Sequence, residues 1–197
     1  MLNTITASPS LAIRVSAEKL WMFNSLLQAG IHVQSESETS IGVFLKQLPG
    51  FSEDYITEQI QTIFLNGTAT DDLATPLVGE APVLAISAAM PGLAGAIFRK
   101  NSLHAALRTT KGPENTTFNK QQITVCLKLF NTIARDRGEE MLRLGVLIDS
   151  SAIQQFFSTR SSTLQHITSI TLNNESITEP EMLSLLEQYD RLNIQVV

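Results

Sequence analysis

The sequence predicts an α+β protein of two tandem related units, each a small mixed sheet covered by helices. Three observations carry that expectation. Short apolar runs ending in Gly, Asn or Ser alternate with stretches whose apolar residues recur at helical spacing. Two passages echo each other, "IQTIFLNGTATDD" from Ile60 and "ITSITLNNESITEP" from Ile167. Between them lies the polar stretch "TTKGPENTT", Thr109 to Thr117, with the breaker pair Gly112-Pro113 at its centre. This linker places a first unit at 1–111 and a second at 118–197. Each alone would be small and marginally stable, so the two are expected to pack together.

Taken in order, Ser16 reads as an N-cap, with Glu18 in the first turn and Leu20, Phe23 and Leu27 along one helix face. Gly30 stands where a helix ends, and the strand "IHVQS" follows. "TSIGVFLKQL" is a helix until Pro49-Gly50, and Ser52 with Glu53 and Asp54 opens the next. "TIFLN" and "VLAIS" are strands, with Gly67 suited to a turn at positive φ. A short helix is expected from Ser102, carrying Leu103, Ala106 and Leu107.

Beyond the linker, Ile123, Cys126, Leu127, Phe130, Ile133 and Ala134 fit an amphipathic helix, ended or interrupted by Gly138. "RLGVLID" is strand-like, and Ser151 with Gln154 suggests a capping box over a helix holding Ile153, Phe156 and Phe157. "SITLN" is a strand. Thr178 and Glu181 form a second capping box, with Pro180 tolerated in the first turn. A helix face of Met182, Leu185, Leu186 and Tyr189 leads to a terminal buried strand, "LNIQVV".

The echo extends upstream. "LLQAGIHVQS" (Leu26–Ser35) matches "MLRLGVLIDS" (Met141–Ser150): an apolar lead-in, Gly, a short apolar run, then Gln or Asp and Ser. The first copy is longer between its Gly and Asn landmarks, where it holds the extra Pro49-Gly50 break.

Composition excludes several classes. A hydrophobic share of 43% in 197 residues can bury a core, so extensive disorder is not expected. A net charge of -5 argues against sequence-independent nucleic-acid binding, which needs a basic footprint. The single cysteine, Cys126, permits no internal disulfide and fits a reducing compartment. The N-terminal residues lack a signal-peptide pattern, so a cytoplasmic address is expected. The uncharged segment Ala81–Phe98 contains Pro82, Pro91, Gly92 and Gly95, which suits a buried strand and a tight turn better than a membrane span.

The passage "TIFLNGTATDDLATPLVGEAPVLAISAAMPGLAG" resembles the second half of the β-grasp sulfur-carrier proteins, in which a strand ends in Asn-Gly and a last strand runs into a glycine-rich tail. The resemblance covers residues 31–95 and implies a β-grasp-like unit. Those carriers use a C-terminal Gly-Gly, whereas Gly92 and Gly95 are internal here. Carriage of sulfur therefore ranks last among the functions considered.

The most unusual local feature is "MPGLAGAIFRKNSLHAALRTTKG", a basic run in an acidic protein. Gly92 and Gly95 allow close backbone approach. Arg99, Lys100 and Arg108 supply positive charge, and a helix start near Ser102 would offer free N–H groups to an anion, with His104 beside it. The pattern matches neither nucleotide-binding glycine motif. The histidines His32, His104 and His166 lie far apart, so no metal site is expected, and no cofactor is indicated. Cys126 and Trp21 read as core residues. The leading expectation is a non-enzymatic binding or scaffold protein recognising a protein partner or a small anionic ligand, with self-association as a further expectation. The alternative is an enzyme acting on a phosphorylated or carboxylated small molecule through the Arg99/Lys100/His104 region.

Overall fold

The computed structural model describes residues 8–104, 107–108 and 121–197. The linker expected around Gly112-Pro113 lies outside the described residues. The fold is α+β, with one ten-stranded mixed open sheet.

The strands are β1 (Ser10–Val15), β2 (Ile31–Glu36), β3 (Thr62–Leu65), β4 (Thr68–Ala69), β5 (Val83–Ser87), β6 (Gln122–Phe130), β7 (Val146–Asp149), β8 (Ile167–Leu172), β9 (Glu175–Ile177) and β10 (Arg191–Val196). A 3-10 helix, Ala17–Ser25, runs into α1 (Leu26–Ala29). α2 (Ile41–Lys46) and α3 (Glu53–Gln59) link β2 to β3, and α4 (Gly92–Phe98) follows β5. α5 (Asn131–Leu144) lies between β6 and β7. α6 (Ser150–Thr159) and a 3-10 helix, Ser161–His166, link β7 to β8, and α7 (Glu179–Leu185) precedes β10.

In space the order is β4-β3-β5-β6-β2-β7-β10-β1-β8-β9. From either edge the pairings run antiparallel, antiparallel, parallel, antiparallel, meeting at the β2–β7 seam. That seam is joined by a single bridge pair, His32 opposite Leu147. Strands from both ends of the chain are interleaved: β6 lies between β5 and β2, and β1 between β10 and β8.

Strand alternation sorts the side chains. Ile123, Val125, Leu127 and Leu129 of β6 point into one core with Leu11, Ile13, Ile148 and Ile194, all buried. α1 and α5 pack on β6, α5 also on β5 and β10, and α6 on β7. Alternate residues such as His32, Cys126, Asp149 and Asn193 are only partly covered, which is the usual division of a sheet with one packed face. At one end of that second face α4 closes down, its Phe98 ring 5.1 Å from Phe64.

Several local expectations hold. Ser52 caps α3 by accepting from the Tyr55 N–H, and Thr178 with Glu181 forms the capping box of α7. The two echoing turns have the same backbone. Asn66-Gly67 (φ 49° and 77°) and Asn173-Asn174 (φ 50° and 72°) each place two successive left-handed residues in a two-residue hairpin. That conformation matches the twist of the flanking strands.

Five expectations are corrected. Residues Gln122–Phe130 form a strand, not the start of a helix. An apolar run this dense satisfies helical and alternating spacing at once, and ladders to β5 on one side and β2 on the other decide for the strand. The helix begins only at Asn131. α6 begins at Ser150, with Asp149 in the N-cap position and no side-chain cap, so Ser151 and Gln154 form no capping box. Trp21 is 60% exposed, while Leu20 and Phe23 of the same 3-10 helix fill the core. Cys126 sits on the partly covered sheet face, outside the core cluster. Near Ser102 the described residues form turns, with the Leu107 N–H donating to the His104 carbonyl at 3.0 Å, and Ala106 lies outside them.

The uncharged segment Ala81–Phe98 folds as β5 and α4. Among the described residues no helix is long and apolar enough to cross a membrane. A strand at Ser10–Val15, which the sequence did not announce, supplies Leu11, Ile13 and Val15 to the core.

Candidate functional site

The basic segment after β5 is held mainly by its own charges. The Arg108 side chain is 6% exposed and its guanidinium donates to Asp71 Oδ1 (2.7 Å), to the Ile97 carbonyl (2.8 Å) and to the Arg99 carbonyl. Asp71 also accepts from the Asn101 N–H at 3.0 Å. Lys100 donates through Nζ to the Thr57 carbonyl (3.1 Å) and through its backbone N–H to the Gln61 carbonyl, and Arg99 Nε donates to Gln61 Oε1 (3.3 Å). Burial pushes the Lys100 pKa down, against the opposing pull of Asp71.

Arg99, Lys100 and Arg108 are thus brought together, around Asp71 and the α3–β3 connection. Ser102 bonds the Ala96 carbonyl and accepts from the His104 N–H at 3.0 Å, with His104 exposed. Gly92 and Gly95 lie in α4. Gly92 takes φ 77°, and a Cβ on Gly95 would stand 1.8 Å from the Met90 carbonyl oxygen. Gly95 therefore serves a tight backbone approach between α4 and the bend before it, whereas Gly92 serves a left-handed backbone with open space around it.

That approach shapes a concavity next to the segment. A groove of about 410 Å³ runs over β5 on the partly covered face, lined by Phe64, Val83, Ala85, Met90 and Phe130, with Ser87 and Asn131 at one end. The polar end lies where the parallel strands β5 and β6 both finish, Ser87 standing beside Phe130 in register. Ser87 is 5% exposed, and its Oγ accepts from Asn131 Nδ2 at 2.8 Å.

Asn131 is the first residue of α5 and has φ 53°, a conformation that favours Gly or Asn. α5 has no side-chain N-cap and no acidic residue in its first turn, so its first N–H groups and partial positive charge are not offset there. The groove thus joins an apolar floor to a polar end formed by Ser87 and Asn131, the arrangement that orients a small molecule.

Sequence reasoning passed over Ser87 and Asn131, although a signal was present. Phe130-Asn131 ends a strand as Leu65-Asn66 and Leu172-Asn173 do, and all three asparagines are left-handed. Among the described residues no group of three or more His, Cys, Asp or Glu side chains is placed to hold a metal ion. Compared with known proteins, the chain matches no family model, no curated protein and no solved structure.

Proposed function

We propose that this chain is a binding protein whose groove over β5 takes a small acidic ligand with an apolar body. The body lies along Phe64, Ala85, Met90 and Phe130, and the acidic group meets Asn131 and the start of α5. The observation that carries this reading is the left-handed Asn131, bonded to buried Ser87 where two parallel strands end at one groove. Backbone held in a sparsely populated region often accompanies a functional site.

Differential scanning fluorimetry with aromatic and aliphatic monocarboxylates, and with their uncharged amides, tests it. Acids are expected to raise Tm and amides to do so far less. Asn131→Gly keeps the backbone conformation but removes the side chain, and Ala85→Phe fills the groove; both are expected to abolish the shift. No shift with any acid, or a shift that survives Ala85→Phe, overturns the reading.

The architecture supports descent from two related units. The Asn66 side chain accepts from the Val83 N–H at 2.8 Å, and Asn173 accepts from the Ser10 N–H at 2.9 Å. Pro82 accepts from the Cys126 N–H at 2.9 Å, and Pro9 from the Asn193 N–H at 3.0 Å. The paired strands begin "PVLAI" and "PSLAI". His32 and Leu147, the bridge pair at the seam, each stand two residues after a positive-φ glycine, Gly30 and Gly145. In this reading β2–β6 correspond to β7–β10 completed by the N-terminal β1, with β1 in the place of β5. Superposing the two sets of strands tests it, and mismatched strand order or direction after alignment sinks it.

A further inference from the structure

On the far side of Asn131, among the helices, lies a second concavity of about 560 Å³. The 3-10 helix Ala17–Ser25, the first turns of α5 and the chain after α6 line it, with Gln28 of α1. In a protein of net charge -5, none of its lining residues is acidic, and two are arginines, Arg135 and Arg160. Trp21, Asn24, Ser25 and Thr163 complete its working surface.

Among the described residues, neither guanidinium is neutralised by a close buried carboxylate. The Arg135 side chain is 72% exposed, and its single ion-pair contact among the described residues is a long one through Nε to Asp136 (3.5 Å). Arg160 bonds the neutral Ser25 hydroxyl and lies over the Phe156 ring, 5.6 Å from its centroid. The Thr163 side chain, 1% exposed, has a hydroxyl without a partner among the described residues. Buried polar groups normally find a partner.

The sole tryptophan is the third element. Its neighbours Leu20 and Phe23 are wholly buried, yet Trp21 turns 60% of its surface to solvent at this concavity. An exposed indole is a stacking platform for a planar ring, and paired guanidinium forks match the oxygens of a phosphate.

We propose that this concavity is a second binding site, for a phosphate monoester carrying a planar ring, the chemistry of a nucleoside monophosphate. Arg135 and Arg160 hold the phosphoryl oxygens, and Trp21 stacks on the ring. The site shares the wall residue Asn131 with the groove over β5, but Trp21, Arg135 and Arg160, which hold the ligand here, line only this concavity.

Trp21 is the only tryptophan in the chain, so its fluorescence reports on this site directly. The full chain is titrated with adenosine 5′-monophosphate, inorganic phosphate and adenosine, each up to about 10 mM, the range in which weak site-specific binding saturates. The expected result is saturable quenching by the monophosphate, with at least about tenfold weaker binding of either part alone. Arg135→Ala and Arg160→Ala are each expected to weaken the monophosphate by about tenfold, the loss of a charge-assisted hydrogen bond. Because Arg160 also packs on Phe156, the exposed Arg135 serves as the variant that leaves the fold intact, checked by circular dichroism. No saturable change, inorganic phosphate binding as tightly as the monophosphate, or undiminished affinity in a folded Arg135→Ala protein overturns the proposal.

Discussion

The His32 imidazole meets the Asp149 carboxylate across the β2–β7 seam, Nε2 lying 2.8 Å from Oδ1, and Arg191 Nε donates to the same oxygen at 2.9 Å. The seam has only one backbone bridge, so this side-chain cluster is a main polar link between its two strands. Partial burial works against ionisation of Asp149, but the hydrogen bonds from Arg191 and His32 outweigh it and hold the carboxyl pKa below its ordinary value.

A depressed carboxyl pKa gives stability that is present above the unfolded-state value and lost as pH falls through the folded one. Asp149→Asn is therefore expected to destabilise the protein at pH 7 by about 1 kcal/mol or less, since the carboxylate is about half exposed. The difference from wild type should vanish in acid, below the usual Asp range. Urea denaturation at several pH values measures it, and a difference constant across pH contradicts the assignment.

The hairpin turns give a second prediction. A Cβ on Gly67 would meet nothing within 4 Å, so Gly67→Ala costs only the left-handed backbone, about 1–2 kcal/mol. Asn66→Ala pays a similar cost and also leaves the Val83 N–H without its acceptor, so it should be the worse of the two. Asn173→Ala should match Asn66→Ala, because its side chain plays the same part toward Ser10. Equilibrium unfolding of the three variants ranks them.

Gly92 and Gly95 are predicted to fail differently. Gly92→Ala meets open space and should lose only about 1–2 kcal/mol through its φ. Gly95→Ala drives a methyl group into the Met90 carbonyl and must move backbone, costing about 1–3 kcal/mol. Only Gly95→Ala should also abolish ligand stabilisation at the groove, because Met90 lines it. Parallel melting curves with and without a carboxylate separate the two.

Removing Arg108 takes the charge partner from Asp71 and a donor from the Ile97 and Arg99 carbonyls, although Asp71 keeps the Asn101 N–H and the Arg99 carbonyl keeps the Ser102 N–H. Arg108→Ala is expected to cost about 1–3 kcal/mol and to admit protease between Gly92 and Arg108 before the rest of the chain is cut. Limited proteolysis with mass mapping reads this out. Arg99→Ala, whose guanidinium makes one exposed contact among the described residues, to Gln61, should leave the cleavage pattern unchanged.

Burial pushes the Cys126 thiol pKa up, with Lys128 and Arg191 pulling it down less strongly and Asp149 adding to the rise. Alkylation by iodoacetamide at pH 7.5 should be well below the rate of a free thiol and should rise steeply above pH 9. Rapid modification at pH 7.5 would contradict the raised thiol pKa.

What the sequence by itself determined is local. The caps at Ser52 and Thr178, the left-handed turns at Asn66-Gly67 and Asn173-Asn174, and the glycines before β2 and β7 act within a few residues of themselves. Their backbone preferences need no distant partner, so they are legible in one dimension. What tertiary structure decided is non-local. Residues 122–130 became a strand because β5 and β2 offer a ladder on each side, and β1 found its place between β10 and β8, strands from the far end of the chain. Trp21 turned outward because Leu20 and Phe23 had filled the core beneath it. Arg108 was spent on Asp71, and Ser87 met Asn131, only once β5 and β6 lay side by side. Hydrogen bonds and burial of this kind join residues far apart in sequence, and residue order alone does not specify which distant groups will meet.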